Sequence, residues 1–241
     1  MPGPAPTSVL IQEPSLTQVT PSSNTSYGPF AATAQGVEKE IVLETEVLQV
    51  PLTTRGGKVK KVVLKNYKDH HHQPLTLLDE DSSHMSLQLT TSDNIQLDTG
   101  HLFFETLNSS HQQVKGTESA QATFMLPVGK GQYLQHTFTL SGQGYTLTHG
   151  WEMVGLDDIK APITFVWHDL VKRVEKDIKA CRNKTTINYY TAERKFSQLK
   201  ERADTPQEQQ LLDPIQCVGI KQRFFTAAVI APAQAFTSGH I

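Results

Sequence analysis

The chain has 241 residues, a length that holds one large β domain or two small ones. Lys and Arg total 22 against 24 Asp and Glu, so no long-range field selects nucleic acid or an anionic membrane surface. No apolar run approaches the ~20 residues that a bilayer-spanning helix needs, and Met1-Pro2-Gly3-Pro4 has neither the basic nor the apolar part of a signal peptide.

Residues 1–37 are rich in Pro, Ser, Thr and Ala and almost uncharged. Few periodic apolar positions are available there to offset chain-ordering entropy, so this segment is expected to be a flexible linker. From Glu38 the pattern changes. Leu48, Val50 and Leu52 alternate on one face of a first strand, and Val62 and Leu64 on the next. Gly56-Gly57 between them supplies the positive φ angles of a tight hairpin.

The middle of the chain repeats this grammar. Ala122, Phe124 and Leu126 share one strand face, and Leu134, His136, Phe138 and Leu140 share another. After an "SGQG" turn, Tyr145, Leu147, His149, Trp151 and Met153 fall together. Period-two runs joined by short glycine turns predict an antiparallel meander. A strand "ITFVW" is followed by helical spacing at Leu170, Val174, Ile178 and Cys181, which predicts a short helix. "TTINYYT" reads as a strand, and the charged "ERKFSQLKERADTPQEQQLLD" as a solvated loop or short helix. Phe224–Ala231, between Gly219 and Pro232, is too short to span a membrane and apolar on both faces. It is expected to be a central strand of a sandwich.

Candidate chemistry is sparse. His70-His71-His72 could hold a divalent metal, but neighbours in an extended loop diverge, so a solvated loop is expected. His136, His149 and His168 lie on or beside predicted strands, where an imidazole could act as a base or ligand, although a hydrogen-bonded sheet residue is the commoner case. Asp79-Glu80-Asp81 and Asp157-Asp158 sit in turn-like segments whose chemistry favours acids, and Glu152 needs a groove to find a partner. The five lysines of residues 58–68 fit the solvated outer face of an edge strand, with a partner-binding patch as the sharper alternative. Cys181 and Cys217 match no zinc signature and are expected to be unpaired small buried residues, with pairing in an oxidising compartment as the alternative. Nucleotide-binding, hydrolase and metalloprotease motifs do not occur. No catalytic, cofactor-binding or metal-binding residue is therefore expected.

Several segments resemble a known family. "IVLETEVLQVPLTTRGGKVKKVVLKNYKDHHHQPLTLLD", "YLQHTFTLSGQGYTLTHGWEMVGL" and, most specifically, "GIKQRFFTAAVIAP" resemble in order the periplasmic domain of YidC-type membrane protein insertases, across residues 38–232. Cys217 departs from that pattern, where the family usually carries Trp. The resemblance implies an all-β fold, a twisted antiparallel β-supersandwich of galactose-mutarotase-like type with a short helical element. It further implies that residues 1–37 tether the domain to an N-terminal transmembrane anchor, and that residues 38–241 form the sandwich, with further strands expected beyond its C-terminal end. Such a domain is implied to be non-catalytic and free of cofactors, at the periplasmic face of a Gram-negative inner membrane. Its implied partners are the Sec translocon with its SecDF accessory proteins and nascent membrane proteins. The alternative is a sugar-binding or sugar-converting sandwich, for which His136, His149, Trp151 and Trp167 would be the nominees. That reading requires them to converge with a carboxylate.

Overall fold

The computed structural model of the chain describes residues 27–241. Its first strands are β1 (Glu40–Glu44), β2 (Leu48–Thr53), β3 (Lys58–Val59), β4 (Lys61–Lys68), β5 (Pro74–Asp79), β6 (Ser83–Thr91) and β7 (Gln96–Asp98). There follow β8 (His111–Gln113), β9 (Ser119–Gly129), β10 (Gln132–Ser141), β11 (Leu147–Val154) and β12 (Ile159–Asp169). After helix α1 (Ile178–Lys184) come β13 (Thr186–Thr191), β14 (Phe196–Gln198), β15 (Gln210–Leu211), β16 (Ile215–Lys221), β17 (Thr226–Ile230) and β18 (Gly239–His240).

The fold is an all-β sandwich, as the strand grammar predicts. Its largest sheet runs β5-β4-β2-β1-β8, with β3 folded back on β2. Only the β1–β8 pair of that sheet is parallel. The meander β9-β10-β11 and the sheet β12-β6-β7 complete the main body, and one core joins all three. Leu48, Val50 and Leu52 of β2, Ala122, Phe124 and Leu126 of β9, and Leu134, Phe138 and Leu140 of β10 are all buried in it. Period-two alternation places them there, since successive strand side chains point to opposite faces. A second, smaller body is the sheet β14-β13-β16-β17 with the two-stranded pair β15-β18, and Tyr189 and Ile215 of the first make a separate cluster with Leu211 of the second.

The Gly56-Gly57 turn is confirmed, with φ of 86° and 55°. A side chain at Gly57 would strike the Phe104 ring at 2.9 Å, so this glycine is required twice over, by conformation and by space.

Several expectations change. The predicted linker 1–37 lies outside the described residues as far as residue 26, but Gly28–Thr33 is a 3-10 helix that buries Phe30 completely in the main core. The predicted helix begins late. Leu170 N–H still donates to Ser82 O in a strand-like contact, and Asp177 caps the first turn by accepting from Ala180 N–H at 2.9 Å. Of the expected stripe only Val174 is buried, while Leu170 and Ile178 face solvent. The charged segment after β13 is mostly irregular, as expected, yet it contributes β14 and β15 and buries Leu211.

On β11 the predicted face forms from Leu147 to Met153. Leu147, His149, Trp151 and Met153 pair with Leu140, Phe138, His136 and Leu134 on one side of the sheet. Because β11 is the outer strand, that face overhangs the core, and Trp151 is exposed. The strand after Gly219 is also misplaced. Among the described residues β17 is an edge strand, not a central one: it pairs with β16 alone, and Phe224 and Ile230 are 66% and 62% exposed.

Candidate functional site

The sequence nominees scatter. The three consecutive histidines occupy the turn between β4 and β5, with His72 at φ 63° and the Asp69 carboxylate accepting from the N–H groups of His71 and Gln73. Among the described residues no cluster of His, Cys, Asp and Glu could hold a metal ion. Asp79 likewise caps its own turn, accepting from Asp81 N–H, and meets Lys172 at 3.2 Å. Asp158 supplies its carbonyl to Ser92 N–H. These acids are turn residues, as their chemistry suggests.

His136 and His149 do come together, with ring centroids 5.0 Å apart, and His149 stacks on Phe138 at 4.4 Å. His136 is buried and bonds through Nδ1 to the Gly57 carbonyl, and burial pushes its pKa down to about 4. His149, an exposed position on the outer strand, is held below the usual imidazole range by desolvation among its ring neighbours and by His136. No carboxylate bonds either ring among the described residues. Glu152 accepts from Gln135 on the opposite face of the sheet. Trp167 lies in another sheet, donating to Ser83 Oγ, and His168 lies across from His84 on β6. The convergence that sugar chemistry requires is not formed by these residues.

The lysine-rich stretch is also not a free basic patch. β4 sits between β2 and β5 and is therefore no edge. Lys60 is ringed by Glu38, Glu40 and Glu80, Lys65 bonds Glu44 at 2.6 Å, and half-buried Lys58 donates to His84 Nδ1 at 3.0 Å. Burial lowers the Lys58 pKa, whereas the hydrogen bond from Lys65 holds the Glu44 carboxyl below its ordinary value.

What the structure does build is a cavity of about 540 Å³ where the main body meets the second sheet. Three separated segments line it: Tyr67 to His70 with Leu75, Val174 to Lys176, and Phe224-Phe225. The segments are fastened to one another. His70 N–H donates to Val174 O at 3.0 Å, Tyr67 packs edge-on against Phe225 at 5.4 Å, and Arg223 lies over Phe224 while reaching Glu175 at 3.4 Å. Leu75 and Val174 form a buried floor. β17 begins at Thr226, one residue beyond this wall. Sequence reasoning singled out the Phe224-Phe225 run but not its neighbours, which come together only through tertiary structure.

Layered sheets and cavity define the class: an all-β sandwich domain with an apolar concavity at the seam between its two bodies. The model of the YidC periplasmic domain matches residues 40–240. The chain belongs to the YidC periplasmic domain family. It is 47% identical over 221 residues to the membrane protein insertase YidC of Amoebophilus asiaticus, covering 90% of this chain and 37% of that protein. The protein of the same name from Cytophaga hutchinsonii is 33% identical over 203 residues, covering 83% of this chain and 32% of the relative. That from Parabacteroides distasonis is 26% identical over 210 residues, covering 86% and 32%. The chain thus spans about a third of the length of these relatives. No helix among the described residues is long and apolar enough to cross a membrane.

Proposed function

We propose that this chain is the non-catalytic periplasmic domain of a YidC-type membrane protein insertase, and that it works by binding rather than by chemistry. The whole protein is integral to the inner membrane, with this domain at the periplasmic face. Its partners are the Sec translocon, its SecDF accessory proteins and nascent membrane proteins, which the domain contacts during insertion and folding. The relatives' shared name, membrane protein insertase, supports the setting. The observation that carries the binding role is the apolar cavity walled by Tyr67, Leu75, Val174 and Phe225. Apolar grooves are features by which proteins take up polypeptide partners.

The test is co-purification. Full-length insertase carrying this domain should recover translocon accessory proteins and arrested nascent membrane proteins from solubilised inner membranes. Deleting residues 38–241 should reduce that recovery severalfold. Undiminished recovery without the domain would contradict the proposal.

A further inference from the structure

We infer that Lys58, His84 and Asp98 form an acid-sensitive latch, which holds the turn between β2 and β3 against β6 at neutral pH and releases it when His84 takes up a proton. The latch stands apart from the binding role proposed above: it is a conformational device inside the fold.

The three groups come from three strands of two sheets. Lys58 opens β3, His84 lies on β6 and Asp98 ends β7. The Lys58 ammonium can only donate, so it gives a proton to His84 Nδ1 in a 3.0 Å hydrogen bond, and the neutral ring carries its own proton on Nε2. That Nε2 faces Asp98 Oδ2 at 3.9 Å, too far for a hydrogen bond. Asp98 Oδ1 meanwhile accepts from the Gly100 N–H at 2.8 Å. Gly100 closes the remaining space, because a Cβ there would fall 2.7 Å from His84 Cε1 and 2.9 Å from Asp98 Oδ1. The turn presses on the same glycine: a Cβ at Gly56 would fall 3.0 Å from Gly100 Cα. Side chains and backbone of the two sheets therefore meet at one point.

A proton on His84 turns Nδ1 from acceptor into donor and sets two positive charges 3.0 Å apart, so the Lys58 bond breaks. Each group has a second partner nearby: Asp98 attracts the imidazolium, and Glu80 and Glu38 attract the ammonium. The acid form is an exchange of partners. Around the ring, Lys58 of β3, His101 of the 3-10 turn Thr99–His101 and His168 of β12 oppose its charging, and Asp98 of β7 favours it. Burial, followed by the Lys58 ammonium, holds His84 below the usual imidazole range. Burial and Arg55 likewise lower Lys58. The His84 side chain is 37% exposed, so protons reach it without unfolding. With the turn released the ring returns toward its ordinary value of 6.5, so below that pH the open form binds more protons and acid favours opening. The other ties of the turn do not titrate this way. Gly56 N–H bonds Leu102 O and Phe104 N–H bonds Thr54 O, while His136 donates from Nδ1 to Gly57 O whether neutral or charged.

The experiment is an NMR titration of this chain from neutral pH into mild acid. The His84 ring should titrate below 6.5. Along the same curve, nuclear Overhauser contacts from the Lys58 side chain to the His84 ring and from the Gly56 to the Gly100 α protons should weaken severalfold. In His84→Gln, whose amide oxygen accepts from Lys58 but does not titrate, the Gly56–Gly100 contact should persist through the same range. Two further variants read the charges directly. Lys58→Met should raise the His84 pKa by removing a like charge. Asp98→Asn, which keeps an oxygen for the Gly100 N–H, should lower it.

A His84 ring that titrates at 6.5 or above, or ignores Lys58→Met, would overturn the latch. So would a Gly56–Gly100 contact that survives protonation of His84, since the exchange of partners would then move no backbone. Loss of that contact in His84→Gln at the same pH, or its loss together with the cross-strand contacts of β9 and β10, would mean general loosening in acid and also overturns it.

Discussion

The imidazole of His136 donates from Nδ1 to the Gly57 carbonyl oxygen at 2.9 Å, tying the centre of β10 to the tight turn between β2 and β3. A carbonyl can only accept, so the bond fixes the tautomer with its proton on Nδ1. The ring also lies 4.9 Å from Phe104, the residue that Gly57 must be small enough to clear. A histidine on a sheet face here serves packing and turn geometry.

This contact gives stability a defined pH dependence. Burial lowers the His136 pKa from 6.5 to about 4, so between those values the unfolded chain binds a proton that the folded one does not. The contribution is complete above about pH 6.5, declines as pH falls, and levels off below about pH 4, for a total of about 3 kcal/mol. Urea midpoints measured from pH 8 to pH 4 should fall less steeply for His136→Gln than for the unaltered chain. Parallel curves would show that His136 is not buried as described.

Two glycines separate strain from collision. Gly57 and Gly131 both have positive φ, 55° and 72°, but an added Cβ meets Phe104 at 2.9 Å in the first case and open space in the second. Gly131→Ala should cost about 1 kcal/mol, the conformational term alone. Gly57→Ala should cost about 1–3 kcal/mol more, because the Phe104 ring must move. Thermal denaturation of the pair checks the difference.

Phe30 and Phe224 have roles opposite to those their surroundings suggest. Phe30 sits in a Pro-, Ser- and Ala-rich stretch yet is fully buried, so Phe30→Ala should destabilise by about 3–5 kcal/mol. Phe224 lies in the most apolar run of the chain yet is 66% exposed, so Phe224→Ala should change stability by less than about 0.5 kcal/mol. Chemical denaturation of both variants reads the contrast directly.

Both cysteines are free, and burial raises the pKa of each thiol, with Glu175 adding to the effect at Cys181. Alkylation by iodoacetamide at pH 7 should therefore be slower than for an unstructured thiol, because the thiolate is the reacting species. Electrophoretic mobility should be the same with and without reductant.

These contrasts show what the sequence discloses and what it withholds. The strands around Phe124, Leu134 and Leu140 were legible because period-two alternation is local. Sheet order is not local: the apolar residues of β11 and β17 alternate as core strands do, but among the described residues each strand lies at a sheet edge. Phe30 gave no signal, since a lone aromatic has no period. Lys60 and Lys65 read as free in the sequence because Glu38, Glu40 and Glu80, which meet the first, and Glu44, which meets the second, reach them only through tertiary pairing. The cavity was illegible for the same reason, its lining coming from three stretches far apart in the chain.

The most direct test of a binding domain is photo-crosslinking from Phe224, in the wall of the cavity, in the full-length insertase, in inner membranes engaged in membrane protein synthesis. The account predicts adducts with a nascent chain or a translocon accessory protein at Phe224, and far fewer from a probe at Glu152 on the outer face of β11. Equal labelling from both positions, or no adduct from Phe224, would contradict it.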